Sequence, residues 1–292
     1  MRPVVVVGDV ATDVVVALTG DPAPGSDRPA SIRTRGGGAG ANVAVHLARL
    51  GIPVQLAGCV GDDAAASVLR AELAAAGVQP ALRTVAGAAT GVVVSLVEPG
   101  GQRSMLADRG ANLELEPGDV PPLSQGGHLH LSGYTLLDPG PRAAGLGALA
   151  AAVTAGCTVS VDPASTEPLR RYGVDRWLAD TAAATVLLPN ADEACLLTGC
   201  TDAVDAARAL AVHHPVVAVS LGAEGAVWAA GTALVHRPAQ ATEVVDTTGA
   251  GDAFAAGLLA AWLTAGREPD PVTALDAGLA LAAEVVRRPG AR

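Results

Sequence analysis

The stretch with the most chemistry in it is Asp246-Thr247-Thr248-Gly249-Ala250-Gly251-Asp252, which runs directly into an apolar helical segment, Ala253–Leu263. Small residues at a helix start leave backbone N–H groups uncovered. The helix dipole adds roughly half a positive charge there, so such a turn suits an anion. An acid beside that anion has a use in phosphoryl transfer, where the protein positions reactants, neutralises charge and takes one proton from the attacking hydroxyl. Asp252 is therefore the candidate base, and the amides of Gly249, Ala250 and Gly251 are the candidate anion hole. A plain first-turn acid, favoured only by the dipole, would account for Asp252 but not for the whole heptapeptide.

A second glycine-rich turn, Gly36-Gly37-Gly38-Ala39-Gly40-Ala41-Asn42, also opens a helix. Positions 36, 38 and 41 fit a dinucleotide fingerprint, but they lie far beyond the first strand instead of in its βα turn. We read the segment as backbone that a polyol can approach closely, with Asn42 offering a donor and an acceptor to hydroxyls.

These turns need a frame. Strand-like runs (Pro3–Gly8, Val54–Val60, Thr158–Asp162, Thr185–Leu188, Val216–Ser220) alternate with Ala/Leu-rich helical ones such as Asn42–Leu50 and Ala64–Ala76. The pattern predicts βαβ units: an α/β, doubly wound, mainly parallel sheet with helices on both faces. Two stretches, 13–35 and 90–106, break the rhythm. The second reads as two strands joined by Pro99-Gly100-Gly101, a hairpin signal. Together they are expected to form a small β-sheet lid on a single domain spanning 1–292; a long loop and an edge hairpin is the plainer reading.

Composition prunes the alternatives. There is no Lys, so a P-loop lysine and Schiff-base chemistry are both excluded. A net charge of −10 argues against a nucleic-acid binder. Cys59, Cys157, Cys195 and Cys200 lack zinc spacing and read as small buried hydrophobes, and the six histidines show no metal spacing. No signal peptide or membrane span is apparent, so a cytoplasmic protein with no membrane partner is expected.

The chain resembles the PfkB (ribokinase-like) family of carbohydrate kinases over essentially its full length. The residues that carry the resemblance are GGAGAN at 37–42 and DTTGAGD at 246–252. Gly8-Asp9 followed by Asp13, Thr90-Gly91, Gly110-Ala111-Asn112, Asp162-Pro163, Asn190 to Glu193, and Ser220 to Gly225 stand between them in order. The resemblance implies ATP as co-substrate, Mg2+ on its phosphates, and Asp252 as base. It implies that Asp13 takes two adjacent sugar hydroxyls, with Gly38, Gly40 and Asn42 on the substrate side. Asn190 and Glu193 would influence Mg2+ and phosphate; Ser220, Gly222, Gly225 and Gly251 would receive the nucleotide, with Gly278 near adenine. The lid would also clasp a second copy into a homodimer. Asn190 and Glu193 also read as an N-cap and a first-turn acid, and Asp13 as a strand-end turn residue. Arg103 and Arg109, in the lid and at its exit, would either bind an acidic substrate or be solvated.

The sequence ends four residues after Arg287-Arg288, so the loop that binds a monovalent cation in activated members is expected to be short. Potassium is thus a disfavoured candidate, with Asp246 and Thr248 as its ligands. Aromatic residues make up 2% of the chain, which favours a sugar or sugar derivative over a nucleoside (adenosine or pseudouridine type), because nucleoside kinases stack the base. A silent sugar- or nucleotide-binding regulator and a dinucleotide oxidoreductase are the rivals from other classes.

Overall fold

The computed structural model describes residues 2–20, 25–27, 29–98, 103–288 and 290–292. Its backbone begins with β1 (Val4–Val7), four consecutive valines, all buried. Such a run has no polar face to offer water and belongs in the middle of a parallel sheet. The chain then gives β2 (Ala11–Leu18), β3 (Ala30–Gly37), α1 (Ala39–Arg49), β4 (Val54–Gly61), α2 (Ala64–Ala75), β5 (Gln79–Val85), β6 (Gly91–Val97) and β7 (Arg103–Asp108). It continues with β8 (His128–Ser132), α3 (Tyr134–Leu137), α4 (Arg142–Thr154), β9 (Thr158–Asp162), α5 (Thr166–Tyr172), α6 (Val174–Asp180) and β10 (Val186–Leu187). The last elements are α7 (Ala191–Thr198), α8 (Ala203–Leu210), β11 (Val216–Ser220), β12 (Ala226–Ala230), β13 (Ala233–Arg237), α9 (Ala250–Thr264) and α10 (Pro271–Val285).

The main sheet runs β13-β12-β11-β10-β9-β8-β1-β4-β5, its pairings parallel except for β11–β12 and β12–β13 at one edge. The valines of β1 divide between two layers. Val4 and Val6 join the core under α1, α9 and α10, while Val5 and Val7 join the core formed with α3 to α8. Connections leave β1 for β4 on one side and return to β8 on the other, so the strand order reverses between β1 and β8. A crevice outside the strand C-termini at such a reversal is where doubly wound sheets bind ligands.

A separate four-stranded sheet, β3-β2-β6-β7, carries the two segments that broke the helical rhythm. Its β2–β6 pair is parallel and its outer pairs antiparallel. The expected turn at Pro99–Gly101 lies outside the described residues, as does the side chain of Arg103. Strand register puts Asp13, Val15, Ser95 and Met105 on one face, and Val14, Val94, Ile32 and Leu106 on the other. Ile32, Met105 and Leu106 are exposed. α1 starts at Ala39, three residues before the expected Asn42, because Gly38 acts as its N-cap and Gly40 already lies inside the first turn. Among the described residues no helix is long and apolar enough to cross a membrane.

Candidate active site

Two helices start at the crevice. The N-cap of α1 is Gly38 (φ 91°) and that of α9 is Gly249 (φ 74°). Both are left-handed backbone positions that glycine adopts without a Cβ penalty. The helices pack against each other, and Asn42 on α1 donates through Nδ2 to Asp252 Oδ2 at 2.8 Å. The other amide atom, Asn42 Oδ1, is buried without a hydrogen-bond partner. It is an acceptor held next to Asp252 for a hydroxyl to satisfy, since orphaned buried polar atoms are costly.

The glycines of the first turn differ in what they accommodate. A Cβ on Gly37 would fall 2.1 Å from Asp13 Cγ, so this glycine lets the Asp13 carboxylate approach. Cβ atoms on Gly38 and Gly40 would strike the backbone of Asp9 and Gly8 at 2.5 and 2.7 Å. Their smallness therefore seats α1 on the β1–β2 connection, a packing role that reading them as open backbone for a polyol had missed. At Gly251 an added Cβ would meet nothing within 4 Å. That position faces open space at the mouth of α9. The Ala250 amide, one of the three expected anion-hole donors, already donates to Thr247 O at 3.2 Å.

Carboxylates dominate the rest of the crevice. Asp9 follows β1, Asp13 lies on β2, Asp162 ends β9, Glu193 lies in the first turn of α7 and Asp252 in that of α9. Burial pushes the Asp252 carboxyl well above the usual range, Asp162, Asp9 and Asp13 add repulsion, and the Asn42 hydrogen bond partly offsets this. Asp13 is pushed up to about 6, chiefly by burial. Burial likewise raises Asp162 to about 6, against the hydrogen bond it accepts from Ala164 N at 2.7 Å. Glu193 is raised to about 8 by burial and by Asp162. Acids raised by one another are the sign of a site arranged for a cation or a proton transfer.

Asn190 and Glu193 form a capping box: Asn190 Oδ1 accepts from Glu193 N at 2.9 Å, and Glu193 Oε2 accepts from Asn190 N at 3.0 Å. The structural reading of this pair thus holds, and Glu193 is also buried on the crevice wall. Among the described residues no group of three or more His, Cys, Asp or Glu side chains could hold a metal ion alone. Mg2+ suits such oxygen donors when phosphates and water complete its shell, because it binds through one or two carboxylates and keeps its waters. Asp246 is committed elsewhere: Oδ1 accepts from Thr248 N and Oδ2 from Gly290 N, both at 2.8 Å.

Two cavities meet at Ser220, Gly251 and Phe254. The larger, about 530 Å³, is walled by Gly222, Gly225, Ala250, Leu279 and Ala282. The smaller, about 150 Å³, is walled by Asp162, Asn190, Glu193 and Asp252. An apolar chamber opening at a helix N-terminus into an acidic one matches the base, the phosphates and the metal of a nucleotide in order. Gly278 is not on that wall; it lies behind Phe254, where a Cβ would sit 2.8 Å from the ring. Arg109 is not a free lid cation. It lies 3.4 Å from Asp9 and 3.2 Å from Asp138, with its guanidinium 4.0 Å over the Tyr134 ring.

Asp9 and Asp162 enter the site, and Arg292 lies beside it, without any of the three having been assigned a role from sequence. The first two follow directly from strand C-termini in a parallel sheet, a positional signal that was available. Nothing in sequence marks Arg292, which folds back against Gly36 O with Nε at 3.0 Å.

The family model for pfkB family carbohydrate kinases matches residues 1–292. The chain is similar to the ATP-dependent ribose-1-phosphate kinase of Halopiger xanaduensis, 36% identical, with 95% of this chain and 90% of the relative covered. It is similar to the fructokinase of Klebsiella pneumoniae, 37% identical, with 84% and 82% covered. Among solved structures it is similar to aminoimidazole riboside kinase from Salmonella enterica complexed with aminoimidazole riboside and an ATP analogue. The TM-score there is 0.85 at 31% identity, with 99% of this chain and 95% of that one covered.

Proposed function

Because the chain belongs to the pfkB family of carbohydrate kinases, we propose that it moves the γ-phosphoryl of ATP to a hydroxyl of a sugar or sugar derivative, with Asp252 as the base. The observation that carries the assignment is the Asn42–Asp252 contact. It joins the glycine-rich turn on the acceptor side to the one on the nucleotide side, leaving a proton acceptor and an orphan Asn42 oxygen at the same point. A raised Asp252 pKa brings the carboxylate closer to the range where it accepts a proton effectively. Asp13 holds acceptor hydroxyls, and the mouth of α9 at Gly249 to Gly251 takes the transferred phosphoryl. Ser220, Gly222 and Gly225 border the nucleotide. Asp162, Asn190 and Glu193 would face Mg2+, which when bound offsets charge on the phosphates.

A bare sugar is favoured over a nucleoside. Among the described residues Phe254 lies along the nucleotide cavities and Tyr134 is covered by Arg109, which leaves the acceptor side without a ring to stack a base. Asp246 is held by two backbone amides, which supports a potassium-independent enzyme. The small sheet serves as a lid. Apolar side chains exposed on both its faces support a homodimer clasp, one face over the acceptor and one on a second copy. Dependence on ATP supports a cytoplasmic location.

A coupled ADP-release screen over pentoses, hexoses, keto-acids and nucleosides identifies the acceptor. Asp252→Asn should cut turnover on the best substrate by roughly two to four orders of magnitude with little change in nucleotide affinity. Near-normal turnover would exclude Asp252 as the base.

A further inference from the structure

Behind the crevice, on the far side of Gly36, two adjoining cavities of about 470 and 520 Å³ share three arginines: Arg35, Arg49 and Arg292. Arg288 and Glu284 border one, Glu72 the other. Arg288 is paired with Glu284 at 3.2 Å, and Arg292 Nη2 reaches Glu72 only at 3.7 Å. No described carboxylate pairs with Arg35 or Arg49. In a chain of net charge −10, this is a local excess of positive charge.

The Arg292 side chain is only 6% exposed. Its Nε donates to Gly36 O at 3.0 Å, but Nη1 and Nη2 are both buried without a hydrogen-bond partner. A buried guanidinium with two orphan nitrogens carries a desolvation cost that nothing among the described residues offsets in full. Its fork is the shape that engages the oxygens of a carboxylate or phosphate in pairs. We infer that this groove is a second anion site, outside the catalytic cleft, taking an oxyanion of the phosphate class on Arg292, with Arg35 and Arg49 from the rim.

The site would communicate with the catalytic turn through Gly290 and Ala291, the two residues before Arg292. Gly290 N donates to Asp246, Ala291 lies against Gly249, and His46 Nε2–H donates to Ala291 O at 3.0 Å. His46 is held neutral by burial, its pKa lowered, and it adds no charge to the groove. An anion bracing Arg292 thereby braces the start of α9.

The test is calorimetric titration of inorganic phosphate into enzyme already saturated with Mg2+ and a non-hydrolysable ATP analogue, at constant ionic strength in chloride. Filling the nucleotide cleft first removes the anion hole as a competitor. Saturable binding is expected, weakened roughly tenfold or more by Arg35→Gln or Arg49→Gln. Both arginines are exposed, so neither change removes core packing. Arg292→Lys, which keeps the charge and loses the fork, should weaken it similarly with the fold intact. Tighter binding of methyl phosphate would identify a phosphorylated metabolite as the ligand; weaker or equal binding would identify the free ion. No heat beyond the chloride control, or affinity unchanged in Arg35→Gln and Arg49→Gln, overturns the site.

Discussion

Replacing Asp13 by Asn separates what the acceptor-side carboxylate costs the fold from what it does for the substrate. Burial, with Asp9 and Asp246 adding repulsion against the pull of Arg292, raises its carboxyl from 3.8 to about 6. That difference of ~2 units corresponds to about 3 kcal/mol held against the ionised form. The folded value lies above the unfolded one. Its contribution is thus fully present below about pH 4 and is lost as the pH climbs through about 6. Asn has no charge to lose. The variant should therefore exceed the parent by about 3 kcal/mol at pH 8 and by about half of that at pH 5. At roughly 2 cal/mol/K per residue of unfolding entropy, the larger gap is about 5 °C in Tm. The same change leaves hydrogen bonds to the acceptor but removes their charge, so kcat/KM should fall roughly ten- to hundredfold with ATP affinity unchanged. Calorimetric melts at the two pH values, beside steady-state kinetics, provide both readouts. A stability gap that is absent or equal at pH 5 and pH 8 would refute the electrostatic reasoning. Weakened ATP binding with a normal acceptor KM would refute the placement.

Gly249→Ala should lower Tm, because the new Cβ would lie 2.4 Å from that of Ala291 on left-handed backbone. Gly251→Ala should leave the melt unchanged or slightly higher while raising the KM for ATP; unchanged KM would remove Gly251 from the phosphate path. Since Glu193 is raised to about 8 partly by Asp162, Mg2+ must displace a proton to be held there. Apparent Mg2+ affinity should then tighten by roughly tenfold for each unit the pH rises toward 8, and Glu193→Gln should flatten that dependence. Light scattering at tens of micromolar should report a dimer, and acceptor binding should slow amide exchange in Gly91–Val97. A monomer removes the clasp, and unchanged exchange removes the lid.

The two glycine-rich turns were legible because each makes a local demand, a helix start with uncovered amides, that few sequences meet by accident. The main sheet was legible for a similar reason: runs such as Val4–Val7 have nowhere else to go. The small sheet was harder. β2 is half-buried along most of its length and β3 exposed along most of its own, so neither shows a clean alternation. The interdependence of Asp162 and Glu193 was invisible, because it arises only when the end of β9 meets the start of α7. Gly40 also has a packing role the sequence did not show, because Gly8 lies where its Cβ would be. Arg292 had no local pattern at all, and its position is a purely tertiary fact.

The strand order carries a kinetic consequence. β1 pairs with β4 across a modest separation, but its other neighbour is β8, with Val4 opposite His128. Pairing over so long a stretch of chain is slow, because closure entropy must be met before the contact rewards it. The ligand crevice opens at this very seam, where Ser132 at the end of β8 donates to Asp9 at 3.4 Å. A partly refolded chain can therefore hold β1, β4, β5 and their helices without possessing a working cleft. Catalytic competence should return with the slowest refolding phase, as a single event, and not in proportion to the secondary structure regained.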